Sequence, residues 1–185
     1  MKVESLRDLY LEQLQDLYNA EQQLIKALPK MAKAATSEEL KTAIENHLEE
    51  TKVQAERIET ICEQMGEKAS GKKCKAMEGL IKEGTETMGE DMEDSLMDAA
   101  LIADAQRVEH YEIAGYGCVH AYATSLGEEE AAELLAQTLE EEKAADTKLN
   151  EIAVELNLEL SSEPEDTEET GKRQAKSARG SRRVA

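Results

Sequence analysis

An all-α four-helix bundle is the fold class this sequence predicts, and three observations predict it. Phe and Trp are absent, Pro occurs twice, and β-branched residues are sparse beside Ala, Leu, Glu and Lys, which favours helix over sheet. Apolar positions recur at alternating spacings of four and three over four long stretches, the seam of a helix packed in a bundle. The connections between those stretches run short, long, short. At 185 residues one domain with a substantial core is expected.

The first helix is expected over 4–34, with Tyr10, Leu14, Leu17, Glu21, Leu24, Leu28 and Met31 on one stripe. Pro29 falls inside it and is a candidate kink. "ATSEEL" then supplies a start signal, with Thr36 or Ser37 as N-cap and acids in the first turn. Leu40, Ile44, His47, Thr51, Gln54, Ile58, Ile61 and Met65 continue the second stripe, and "GEKASGKK" ends it. A weaker helical piece is expected near 74–88. Ser95 is the expected start of the third long helix, which runs to Gly127 as C-cap. The fourth covers "GEEEAAELLAQTLEEEKAADTKLNEIAVEL", with acids crowding its first turn. After residue 158 periodicity is lost, so the reading is a folded domain over 1–158 and a disordered tail over 159–185, basic at its end.

The loops constrain topology. Short turns make helices one and two, and helices three and four, antiparallel neighbours. About 30 residues separate the second and third long helices, enough to cross the bundle's length and give the ferritin-like form of the four-helix bundle. A simple up-down bundle stays open, with 74–88 as an extra helix.

Formal charge is −19, yet 172–185 carries six basic residues and no acid, which leaves −25 on the rest. A body that acidic repels nucleic acid and anionic membranes and suits metal cations. A solvated tail is the default; an electrostatic arm or a docking peptide are the alternatives. No nucleic-acid partner is expected. Cys62, Cys74 and Cys118 form neither a disulfide framework nor a zinc motif, which points to a reducing compartment. No apolar h-region opens the chain, and no run approaches the roughly 18 apolar residues of a membrane span. A soluble, cytoplasmic protein is expected. No Gly-rich phosphate loop supports nucleotide chemistry.

Polar residues interrupt the stripes near their midpoints. In the third long helix Ile102, Ala105, Glu109, Glu112, Tyr116, Val119, Ala123 and Leu126 keep the spacing unbroken, so both glutamates share the inward face. Glu21 holds the same place between Leu17 and Leu24. Glu142 lies at the centre of Leu135, Thr138, Glu142, Ala145, Leu149, Ile152 and Leu156, chosen over Glu141 by phase, with Asp146 one turn on. The second helix offers His47, Glu50 and Gln54 on one flank. In so acidic a chain any one glutamate falls by default on a solvated face. Coincidence across four helices changes that: converging carboxylates in an apolar interior need cations, and two divalent metal ions would supply them.

"DLYNAEQQLIKALPKMA", "HLEET", "CKAMEGLI", "DAALIADAQRVEHYEIAGYG" and "TLEEEKAADTKL" closely resemble the YciE/YciF-type stress protein family of the ferritin-like superfamily. The resemblance covers about residues 1–158 and leaves the basic tail outside. The family, long catalogued as a domain of unknown function, resembles rubrerythrins and manganese catalases, which hold two iron or manganese ions between four helices. By position, the resemblance implies Glu21 as a terminal ligand and Glu50 and Glu142 as bridging carboxylates. Glu109 and Glu112 would form the ExxE pair, and Asp146 stands where a histidine is common. The second helix departs from the usual Glu-x-x-His, since Val53 follows Glu50 at that spacing. His47 lies one turn on the other side and is a ligand or a neighbour of the ligands.

The leading expectation is therefore a two-metal carboxylate protein of the stress response, holding iron or manganese and acting as an oxidoreductase on peroxide, oxygen or Fe(II), with Tyr116 as packing or as a radical relay. The alternative is a non-enzymatic structural stress protein with a partial metal site. Cage-type iron storage is weaker, because no apolar helix follows residue 158. A homodimer is a possible state.

Overall fold

The computed structural model describes residues 3–162. Among them are five helices and no strand: α1 (Leu6–Ala34), α2 (Glu38–Gln64), α3 (Lys75–Thr87), α4 (Asp94–Leu126) and α5 (Glu129–Ser162). The expectation of a disordered basic end falls on 163–185, outside the described residues.

Caps set most of the boundaries. Ser5 and Ser37 accept from Asp8 N–H and Leu40 N–H at the starts of α1 and α2, each satisfying one orphan donor of a first turn. The Cys74 thiol takes that role for α3. α4 starts one residue before the expected Ser95, behind Glu93, which makes no side-chain cap. Gly127 ends α4 at φ 74°, a left-handed backbone that glycine adopts without a Cβ clash. α1 passes through Pro29. α5 continues to Ser162, four residues past the expected domain boundary, because nothing in "LELSS" interrupts a helix.

Directions follow from contacts at the two ends. Arg7 at the start of α1 meets Glu128 after α4, whereas Thr36 after α1 meets Asp98 near the start of α4; α1 and α4 are antiparallel. Lys148 reaches Glu39 and Gln64 reaches Glu130, so α2 and α5 are antiparallel too. α2 and α4 consequently run the same way, which only a crossover along the whole bundle permits. That crossover climbs past Gln15 and Glu12 through Lys68 and Lys72 and lays α3 over the groove between α1 and α4. The ferritin-like arrangement is the one adopted, and the up-down alternative is not.

α4 packs against α1, α3 and α5, which explains why its apolar residues are spread around the helix rather than confined to one stripe. At Gly115 a Cβ would stand 2.7 Å from Leu17 Cδ2, so α1 and α4 approach more closely there than an alanine would allow. The interior divides into two apolar clusters. One gathers Leu24, Leu28, Ile44, Met77, Leu101, Ile102 and Leu149; the other gathers Tyr10, Leu14, Leu17, Ile58, Ile61, Tyr116 and Leu135.

The α1–α2 turn is fastened by a buried side chain of α4. Asp98 accepts from Thr36 N–H at 2.8 Å, Thr36 Oγ1–H at 2.7 Å and Ser37 N–H at 2.8 Å. Asp98→Ala strands these donors at a helix start and is expected to cost about 2–4 kcal/mol. Urea unfolding reads this directly. A loss below about 0.5 kcal/mol would mean that water replaces the carboxylate at no cost.

Candidate metal centre

Between the two apolar clusters lies a polar layer to which every long helix contributes. Glu21 of α1, His47 of α2, Glu109 and Glu112 of α4 and Glu142 of α5 are all buried, together with Thr51, Gln54 and Thr138. Their placement follows from helical phase: each occupies a seam position midway along its helix, so the bundle that buries the leucines above and below buries them as well. His47, Glu109, Glu112 and Glu142 each offer a ligand atom, and these atoms lie within 4.8 Å of one another. His47 Nε2 stands 3.4 Å from Glu109 Oε1. Glu21 adjoins the group, with one oxygen accepting from the Tyr116 hydroxyl.

The layer is deficient in donors. Glu21 Oε2, Glu109 Oε2, both oxygens of Glu112 and Glu142, and both ring nitrogens of His47 have no hydrogen-bond partner. Burial pushes the Glu21 carboxyl up to about 8, helped by the Glu142 charge and opposed by the Tyr116 hydrogen bond. Burial likewise drives Glu109 and Glu112 well above the ordinary range, and raises Glu142 against the pull of His47. Burial alone would lower His47, but the carboxylates around it, Glu109 foremost, lift it to about 10. Tyr116 is held far above its usual value by burial and by Glu21. Buried carboxylates in native proteins are paired or hold metals, and most of the carboxylate oxygens here have no hydrogen-bond partner in the chain. Four carboxylates and an imidazole offer mainly hard oxygen donors, which suit iron or manganese, so the residues present fit a metal ion.

Not every expected ligand lies in this layer. Glu50 is 48 % exposed, and its carboxylate faces His47 Nδ1 at 3.8 Å from outside. The reason is phase: His47, Thr51 and Gln54 point inward, and Glu50 is turned off that line toward α5. Asp146 is half-buried on α5; its Oδ2 accepts from Asn150 at 3.2 Å, its Oδ1 lies 3.4 Å from His110 Nδ1 without a hydrogen bond, and it acts on Glu109 through its charge. His110 itself is exposed. Stripe phase separates the adjacent acids as expected: Glu142 faces the interior, while Glu141 is bound by Arg57 at 2.5 and 2.8 Å. Although burial opposes it, Arg57 holds Glu141 below the usual range. Gln54, placed on the stripe by the sequence but not counted among the ligands, belongs to the layer. It is fully buried against Glu141 and Glu142, with Oε1 unpartnered. Its seam position between Thr51 and Ile58 was the available signal.

A large opening reaches the layer from one side. A cavity of about 590 Å³ between α2 and α5 is lined by Ala43, Asn46, His47, Glu50, Glu109 and Ala145, among others. No helix among the described residues is long and apolar enough to cross a membrane.

Comparison with known proteins adds a family. A family model described as a domain of unknown function, DUF892, matches residues 5–160. Protein YciF of Escherichia coli (strain K12) is 47% identical over 155 residues, which is 83% of this chain and 93% of that protein. The crystal structure of that stress protein superposes with a TM-score of 0.82, covering 84% of this chain and 99% of the other. YcfI of Rhodopseudomonas palustris, whose description proposes a structural role, is 48% identical with a TM-score of 0.78, covering 80% and 95%. A two-domain protein of Anabaena variabilis with DJ-1/ThiJ/PfpI-like and ferritin-like domains shares 14% identity at a TM-score of 0.55, covering 97% of this chain and 42% of that one. This last likeness concerns the fold alone.

The raised carboxyls set a pH dependence for metal-free protein. Glu21 binds its proton more tightly folded than unfolded, so the folded state holds more protons and stability falls as pH rises from about 4.5 toward about 8. His47 acts in the same direction, its contribution complete below about 6.5 and lost as pH passes about 10. Chelator-treated protein is therefore expected to melt higher at pH 5.5 than at pH 8. Equal melting temperatures across that window would show that the layer is already neutralised.

Proposed function

The chain belongs to the DUF892 family and is a YciF-like stress protein, and we propose that it works as a two-metal carboxylate protein in that response, redox-active toward peroxide, oxygen or Fe(II). One observation carries the reading: a group of buried carboxylates and an imidazole, within ligating distance of one another, whose facing atoms have no partner. Four interior glutamates, when ionised, carry four negative charges, and two divalent ions balance them. Iron or manganese suits the oxygen-rich donor set better than copper.

A bound iron or manganese pair supplies one-electron valence changes to a small oxidant. The chain's own residues do the rest. Glu21, His47, Glu109, Glu112 and Glu142 are the holding groups, and Glu142 acts electrostatically on Glu21 as well as on Glu109. Tyr116 orients Glu21 through its hydroxyl proton. The apolar clusters on either side exclude bulk water and strengthen every interaction inside. Free thiols at Cys62, Cys74 and Cys118 agree with work in a reducing cytoplasm.

A non-enzymatic structural role is the second reading. Gln54 favours it, since α2 presents a carboxamide at the fully buried seam position and a carboxamide carries no charge to share between two ions.

Elemental analysis after anaerobic reconstitution is expected to find two iron or manganese ions per chain, and fewer than one in Glu142→Ala. Chelation should lower Tm by about 5 °C or more at neutral pH. Less than one ion in the wild-type chain would end the metal reading. Protein that holds its metals and their stabilisation, yet consumes neither peroxide nor Fe(II) with oxygen, would leave the structural role.

A further inference from the structure

We propose that the opening between α2 and α5 is the passage by which divalent cations reach the interior, with Glu50 as a transit carboxylate at its mouth rather than a resident ligand. This rests on the metal-binding reading above. The packing leaves this side open. α1 with α2 and α4 with α5 form closely packed hairpins, and α3 roofs the groove between α1 and α4, where the remaining void is about 50 Å³. The α2–α5 side keeps about 590 Å³.

Its width has a cause in single residues. Ala145 occupies the α5 seam between Glu142 and Leu149, and Ala43 faces the cavity from α2; a larger side chain at either place would fill the space. The floor is formed by His47 and Glu109, both buried and both with unpartnered atoms. Their facing atoms are closed to water, so a cation that enters here reaches them when the His47 or Glu109 side chain turns aside.

Charge at the mouth singles out Glu50. Glu39 is held by Lys148 at 2.6 Å and Glu141 by Arg57 at 2.5 Å. Among the described residues Glu50 has no lysine or arginine in ion-pair contact: its carboxylate faces only the His47 ring, at 3.8 Å, and is half in water. An exposed carboxylate without a lysine or arginine partner, next to a low-dielectric opening, attracts cations and raises their local concentration. Being hydrated, it binds them weakly enough to let them pass. His47 stands one turn away on the same helix, already inside, as the next group to receive the ion.

Stopped-flow mixing of metal-free protein with Co(II), read by its d–d absorption, separates passage from ligation. Ala145→Phe is expected to slow loading by about tenfold or more, and Glu50→Gln by about three- to tenfold with a weaker dependence on ionic strength. Both should reach the wild-type stoichiometry. Ala43→Phe narrows the same passage from the opposite wall and serves if the first variant does not fold by circular dichroism. Wild-type loading rates in the narrowed and Glu50 variants would overturn the passage. A Glu50→Gln protein that saturates with fewer ions would make Glu50 a ligand and overturn its transit role. Wild-type protein that binds no Co(II) would instead overturn the metal-binding reading itself, and the passage with it.

Discussion

Negative charge held without water in an apolar interior is the constraint on which the rest of this structure depends. Glu21, Glu109, Glu112 and Glu142 are all buried, and isolated buried carboxylates cost several kcal/mol each in effective desolvation. Protons on the glutamates and on His47 relieve part of that cost in metal-free protein: burial and mutual repulsion drive the glutamates upward, and the surrounding carboxylates lift His47 against burial. A divalent cation relieves it more fully, because it supplies charge and coordination at once. Proton and metal thus compete for one set of atoms.

Such a layer survives because apolar packing lies on both sides of it. The cluster around Leu24, Leu101 and Leu149 and the cluster around Leu14, Ile58 and Leu135 hold the helices in register with the polar residues between them. Each cluster draws side chains from all four long helices, so separating the carboxylates means unpacking leucines. The bundle therefore pre-organises the ligands: their repulsion is met by hydrophobic burial elsewhere along the same helices. Tyr116 joins the two regions, its ring in one cluster and its hydroxyl on Glu21.

The long crossover serves the same end. By sending α2 and α4 in the same direction it sets α1 beside α4 and α2 beside α5, and by carrying α3 it seals one of those faces. Asp16, Tyr111 and Cys74 link α1, α4 and the start of α3 beneath that seal. Among the described residues, closure on the α3 side contrasts with small side chains on the α2–α5 side, where the larger opening lies. Shielding and access, which conflict in a symmetric bundle, are here assigned to different faces.

Helix existence, the alternating stripes and the inward phase of Glu21, Glu109, Glu112 and Glu142 were legible in the sequence, because a periodicity near 3.6 residues is a local property of the chain. The length of the second connection was legible too, and with it the crossover. Membership of one layer was harder to read for α2. Spacing put His47 and Gln54 on the stripe and left Glu50 on its flank, within about two turns of both, so which of the three reach the layer depended on what packs against that flank. Packing of α2 against α1 and α5 decided that His47 and Gln54 turn in and Glu50 turns out. Asp146 was likewise placed by tertiary packing, half-buried beside His110 with Asn150 on its Oδ2. The open face was invisible beforehand, because it depends on the gap between two helices more than eighty residues apart in sequence. Local periodicity determines which way a side chain points on its own helix. Only the tertiary structure determines what stands opposite.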